Sequence, residues 1–161
     1  MSLTNNQPPH TRPQAELSAA NAARQAEATH EDHDSRPLRK AERLRLALNN
    51  KEEGTQLFKD GNLAPAVARW TRALEHTNKF IDLTPEDEPE IDALRVSLHL
   101  NIAMALLRTG GDAALRRAVE AATAALRIEP ANAKALYRRA AAYRDLKQLS
   151  EAKAVYSKMF G

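Results

Sequence analysis

The chain has 161 residues, 24 Lys/Arg against 21 Asp/Glu for a formal net charge of +3, and no cysteine. That length suits one modest domain with a tail, and the missing cysteine excludes disulfides, thiolate metal ligands and a cysteine nucleophile while fitting a reducing compartment. Aromatic residues make up 4%, which suits closely stacked helices better than a deep sheet core, and no apolar run approaches the ~20 residues of a membrane helix.

Residues 1–36 carry no apolar core that could serve as a signal peptide. They include Glu16, Glu27, Glu31, Asp32 and Asp34, acids that a mitochondrial presequence lacks. This segment reads as a disordered, cytoplasmic tail, with an alanine-rich stretch from Pro13 to Thr29 capable of a transient helix. Ser35 suits an N-cap with Pro37 just inside a helix start. From there Leu38, Ala41, Leu44 and Leu48 recur every three or four residues, so a first helix is expected to run to Lys59 and stop at Asp60-Gly61-Asn62. A second helix from about Leu63 sets Val67, Trp70 and Leu74 on one stripe.

The connection that follows is long. A lengthened second helix from His76 to Asp82 and the loop Thr84-Pro85-Glu86-Asp87-Glu88-Pro89 are expected to absorb the extra residues. A third helix spans roughly Glu90 to Arg108, and Thr109-Gly110-Gly111-Asp112 turns the chain. The fourth helix ends before Pro130. Ala131-Asn132 opens a fifth that reaches about Leu146, and a sixth runs from Ser150 to the terminus. Val155, Met159 and Phe160 then have no later element to cover them. Self-association through this last helix, a partner, folding back of the tail or a truncated chain would each resolve that.

One spacing occurs twice along these helices. Gly54, Leu57, Ala66 and Trp70 share their offsets with Ala140, Tyr143, Ala152 and Tyr156. A looser copy comprises Ala103, Leu106, Ala118, Ala122 and Pro130. Gly54 to Ala103 is 49 residues and Ala103 to Ala140 is 37, against a basic period of about 34 for tetratricopeptide (TPR) repeats, whose pattern the frame resembles. The resemblance implies an all-α array of three TPR helix–turn–helix repeats, about 47–82, 91–130 and 131–161, within a domain at 37–161. It also implies a right-handed superhelix with a concave groove that binds other chains.

The first helix of each repeat lines that groove. Lys51 and Thr55 lie four apart on one face with Phe58 a turn further. Asn101 and Arg138 each sit two residues before their repeat's small residue, and Lys134 lies one turn before Arg138. Three cations and two neutral hydrogen-bonding groups in one trough suit carboxylates, and a C-terminus ending in an acidic residue offers two at once.

The pattern resembles carboxylate-clamp TPR domains of co-chaperones, which hold the C-terminal Glu-Glu-Val-Asp tails of the seventy- and ninety-kilodalton heat-shock chaperones. Lys51, Asn101, Lys134 and Arg138 match the clamp roles, while Thr55 departs from the commonest Asn. The wording is nearest the large immunophilins: Lys51-Glu52-x-Gly54-Thr55-x-x-Phe58-Lys59, Asn101-Ile102-Ala103-Met104 and Leu136-Tyr137-Arg138-Arg139. Residues 1–36 are too few for an isomerase domain. The resemblance implies that Lys51, Asn101 and Thr55 take the terminal carboxylate and that Lys134 and Arg138 take acidic side chains. Phe58 and Met104 supply an apolar pocket, with Phe58 equally readable as core, Asn101 as a bridge between helices and Arg139 as surface charge.

Other chemistry is weaker. From residue 37 onward 21 Lys/Arg face 16 Asp/Glu, but dispersed at helical spacing, without the basic cluster of a nucleic-acid binder. His30 and His33 lie in the acidic tail and make no convincing metal pair. His76 and His99 form no relay, and Gly110-Gly111 precedes no lysine as a phosphate loop requires. With no nucleophile–base–acid set, the sequence reads as a binding adaptor without cofactor or metal, not an enzyme. The alternative is a non-chaperone TPR scaffold or assembly factor that binds an internal segment of a partner.

Overall fold

The computed structural model describes residues 39–80 and 82–160, apart from the Phe160 side chain. The expectations for residues 1–36, for the Ser35 cap and for His30 and His33 lie outside the described residues. Six helices are described: α1 (Lys40–Lys59), α2 (Leu63–Thr77), α3 (Glu88–Thr109), α4 (Asp112–Ile128), α5 (Ala133–Asp145) and α6 (Leu149–Phe160). Each packs on the next, and α3 also touches α5. The architecture is the expected all-α array of helix–turn–helix units.

The start of α1 differs from the sequence expectation. Arg39 is extended (φ −65°, ψ 157°), so the helix opens at Lys40 and not at Pro37. The Arg39 N–H donates to Glu42 Oε2 at 3.1 Å, which satisfies a backbone donor left over at the helix start. Gly61 then takes φ 82° and lets the chain reverse into α2.

The repeated frame marks the points of closest helix approach. A Cβ placed on Gly54 would lie 2.7 Å from both Cδ1 and Nε1 of Trp70, closer than any side-chain atom can settle. Trp70, 1% exposed, fills the space that this glycine leaves. Ala103, Ala118 and Ala122 are fully buried in the second hairpin, as is Ala140 in the third, with Ala152 nearly so. Small side chains at these positions let large neighbours interdigitate at interior packing density.

The second helix is not lengthened. It ends at Thr77, with Asn78 as its C-cap. The Thr77 carbonyl that this end leaves open accepts from Arg95 Nη2 at 2.6 Å, and Thr77 Oγ1 donates to Leu74 O at 2.7 Å. The extra residues therefore form a connection, and it is clasped at its far end. One carboxylate oxygen of Asp87 accepts from Thr84 N–H (3.0 Å), Thr84 Oγ1 (2.9 Å) and Lys40 Nζ (2.6 Å). Lys40 thereby ties the start of α1 to the start of α3. That helix opens at Glu88, two residues before the expected Glu90, with Pro89 in its first turn, where a missing N–H costs nothing.

Two apolar clusters run through the unit. The first joins α1 through α4, with Ala142 of α5, around Trp70, Leu98 and Ala103. The second joins α3 to α6 around Val96, Leu100, Leu126, Leu136 and Val155. This changes the expectation for two residues of the last helix: Val155 is buried and Met159, partly buried, packs against the same cluster, whereas the Phe160 side chain lies outside the described residues and Leu149 is 67% exposed.

Two outcomes follow from these contacts. The Asp87 carboxyl is held down to about 2 from its usual 3.8, first by Lys40 and then by Thr84. A carboxyl depressed in the folded state adds stability that is complete above the unfolded value and lost as pH falls through the folded one. The gap in melting temperature between the parent chain and Asp87→Asn is therefore expected to shrink between about pH 4 and pH 2. Separately, Lys147 at φ 59° occupies the turn position that Gly61 fills in the first hairpin. Lys147→Gly is expected to raise unfolding stability by about 1 kcal/mol in urea titration, because the left-handed conformation penalises any Cβ.

Candidate functional site

The groove face is assembled from α1, α3 and α5. On α1, Lys51 and Thr55 are half-buried at i and i+4. Thr55 Oγ1 donates to Lys51 O at 2.8 Å, and Trp70 Nε1 reaches the same carbonyl at 3.1 Å. Phe58 lies one turn on, its ring 5.7 Å from that of Trp70, with the guanidinium of Arg108 4.7 Å from its centroid. On α3, Asn101, Met104 and Arg108 fall at i, i+3 and i+7, so they share one stripe. Arg108 anchors that stripe to Phe58 of α1, and Met104 anchors it to α5. There Arg138 donates through Nη1 to Leu100 O at 2.8 Å and through Nη2 to Met104 Sδ at 3.6 Å. Lys134 is exposed one turn before Arg138 on α5.

Contact and helical spacing therefore link all seven expected residues, but in two conditions. Lys51 Nζ, the Asn101 amide and Lys134 Nζ make no hydrogen bond or ion pair to any other described residue. Thr55 and Arg138 are already engaged. Burial lowers the Arg138 pKa from its usual value, which still leaves the group cationic at neutral pH. Cationic and amide groups of this kind can hold carboxylates by charge-assisted hydrogen bonds.

No protein-family model matches the chain. Over 99 residues, 58% of its length, it is 40% identical to peptidyl-prolyl cis-trans isomerase D of Kluyveromyces lactis, of which that match covers 26%. Over 121 residues, 73% of its length, it is 33% identical to peptidyl-prolyl cis-trans isomerase FKBP4 of Bos taurus, covering 25%. The fold resembles the C-terminal TPR-containing domain of a Plasmodium falciparum FK506-binding protein, with TM-score 0.66 at 25% identity over 74% of the chain and 78% of that domain. It also resembles the second TPR domain of Spaghetti (RPAP3), solved with the HSP90 peptide SRMEEVD. That match has TM-score 0.55 at 25% identity over 71% of the chain and 90% of the other. The described helices form a TPR domain similar to those of immunophilins. The chain spans about a quarter of the length of the curated relatives it matches, and the match lies over their TPR region.

Within this TPR domain, Arg108 was not singled out from the sequence. Its signal was available, since it lies one turn beyond Met104 on the groove stripe, but only the stacking on Phe58 shows it reaching across to α1. Phe58 is both core and groove: it packs against the first apolar cluster and carries Arg108 on its ring. Arg139 is not loose surface charge. It is half-buried and lines a cleft of about 240 Å³ against α6 with Tyr143, Glu151 and Lys158. A larger groove of about 590 Å³ lies between α2 and α4 around Val67, Ala68, Leu106 and Ala114 and contains none of the seven expected site residues.

His76 is buried on α2 and His99 half-buried on α3. Burial is the first cause lowering each pKa, reinforced for His76 by Arg72, Arg43 and Lys79 and for His99 by Arg95. In both, the surroundings favour the neutral imidazole, as suits packing groups. Among the described residues no group of three or more His, Asp or Glu side chains could hold a metal, and no helix is long and apolar enough to cross a membrane.

Arg138 has a structural duty that Lys134 lacks. Arg138→Ala is expected to cost about 1.5–3 kcal/mol in urea unfolding, whereas Lys134→Ala should stay within about 0.5 kcal/mol of the parent. Equal effects of the two substitutions would contradict the bridge to α3.

Proposed function

We propose that this TPR domain is a cytoplasmic, co-chaperone-like adaptor that takes the acidic C-terminal peptide of a heat-shock chaperone, of the Glu-Glu-Val-Asp type. The observation that carries the reading is the stripe of unengaged donors, Lys51, Asn101 and Lys134, beside Arg138, on a fold shared with a TPR domain solved with the HSP90 peptide SRMEEVD. Lys51 and Asn101 take the terminal main-chain carboxylate. Lys134 takes one acidic side chain as a point charge, and Arg138 a second through the donors its bridge to α3 leaves over. An apolar ligand side chain lies against Met104 and the Phe58–Arg108 stack. Tails of the seventy-kilodalton chaperone present the same terminal chemistry and are the natural competing ligand. Self-association through α6 would draw on the exposed Leu149, since Val155 is buried and Met159 partly packed.

A second reading is favoured by the engagement of Arg138. In it the clamp positions serve as interhelical struts, and the groove holds an internal segment of an assembly partner. The two readings part on whether a free carboxylate is needed. Calorimetric titration with a free-acid Met-Glu-Glu-Val-Asp peptide is expected to give a dissociation constant near micromolar, about −8 kcal/mol, weakening with salt. Amidating the peptide, Lys51→Ala and Lys134→Ala should each weaken binding about tenfold or more, the loss of one charge-assisted contact. No binding by the folded chain, or equal binding of acid and amide, would favour the scaffold.

A further inference from the structure

Thr55 stands where the clamp pattern commonly has Asn, and its geometry gives that difference a chemical meaning. A hydroxyl carries one proton and two acceptor lone pairs, whereas an amide side chain offers both a donor and an acceptor. The Thr55 proton is committed within its own helix, at 2.8 Å from the Lys51 carbonyl. This is the back-bond to i−4 that threonine makes in helices. Turning the hydroxyl away to reach a ligand would forfeit that bond. With its proton so placed, the oxygen of half-buried Thr55 has only lone pairs left to offer a ligand, which repel a carboxylate and attract an N–H.

We infer that Thr55 acts as a hydrogen-bond acceptor for the last main-chain amide N–H of the bound peptide and not as a donor to its terminal carboxylate. The inference rests on the proposed carboxylate clamp and adds a specificity element to it. Lys51 and Asn101 fix the terminal carboxylate, and that carboxylate and the last amide nitrogen share one Cα. The N–H is thus the ligand donor nearest to Lys51's neighbour one turn along. A ligand without that N–H, such as one ending in a proline, would leave the Thr55 oxygen facing the groove unpaired and bind poorly even with the right charges.

The test is a cycle of two chains and two peptides read by calorimetry: the parent and Thr55→Val, each with free-acid Met-Glu-Glu-Val-Asp and with the same peptide N-methylated at its last amide bond. Thr55→Ser, which keeps the hydroxyl, is the control for packing, and Lys134→Ala the control for the clamp. Thr55→Val is expected to weaken the unmethylated peptide about three- to tenfold, the range of one net hydrogen bond, with Thr55→Ser near the parent. Parent and Thr55→Val should bind the methylated peptide equally. Unchanged affinity in Thr55→Val overturns the inference, and so does an equal loss for both peptides, which would place the contact on the carboxylate. If the folded parent binds neither peptide, the clamp itself fails and the inference with it. Binding by the parent that is lost in Lys134→Ala separates that case from a failure of Thr55 alone.

Discussion

The indole of Trp70 donates its N–H to the carbonyl of Lys51, and the rest of the first hairpin is arranged around that bond. It needs α1 and α2 in close contact, which Gly54 permits by having no Cβ. It buries the large aromatic ring almost completely, and truncating a buried ring of this size to alanine typically costs about 3–5 kcal/mol. It also fixes the backbone from which the Lys51 and Thr55 side chains project. Because the same carbonyl receives the Thr55 hydroxyl, core packing and groove chemistry meet at one oxygen atom. A change in how α2 seats on α1 must therefore alter what the first repeat presents to a ligand.

A comparable junction lies at the other end of the groove, with the opposite balance. Arg138 crosses from α5 to the Leu100 carbonyl and the Met104 sulfur of α3. Its fork holds two repeats in register and positions the guanidinium before any ligand arrives. Part of the entropy cost of ordering a long side chain is then met in the free protein. The price is fewer donors for the ligand. Lys134, exposed and unengaged, has the reverse character, with a full complement of donors on a flexible stem. Rigid and mobile cations thus stand one turn apart on the same helix.

Much of this was legible in the sequence, because repeats encode their contacts locally. The small-residue frame around Gly54, Ala103 and Ala140 reports helix–helix approach directly, and the turns at Gly61 and Gly110-Gly111 punctuate it. The helix faces shared by Lys51 and Thr55 and by Lys134 and Arg138 were legible for the same reason, since residues one turn apart must share a face. What stayed hidden depends on contacts between distant segments. The early end of α2 reflects Arg95 reaching over to the Thr77 carbonyl, and nothing in residues 76–82 announces it. Stacking of Arg108 on Phe58 and burial of Arg139 against α6 likewise need the relative placement of helices. The internal hydrogen bond of Thr55 is local but invisible to pattern, because a threonine on a helix face shows its type and not the direction of its proton.

The chain contains a single tryptophan, and it is the one bonded to the Lys51 carbonyl and neighbouring Phe58. Its emission therefore comes from one known place, the wall between the hydrophobic interior and the first-repeat side of the groove. Shifts in colour or quantum yield would follow the polarity of that wall without any attached dye. The molecule so carries its own optical probe, and events at Lys51, Thr55 and Phe58 can be followed in real time by stopped-flow mixing.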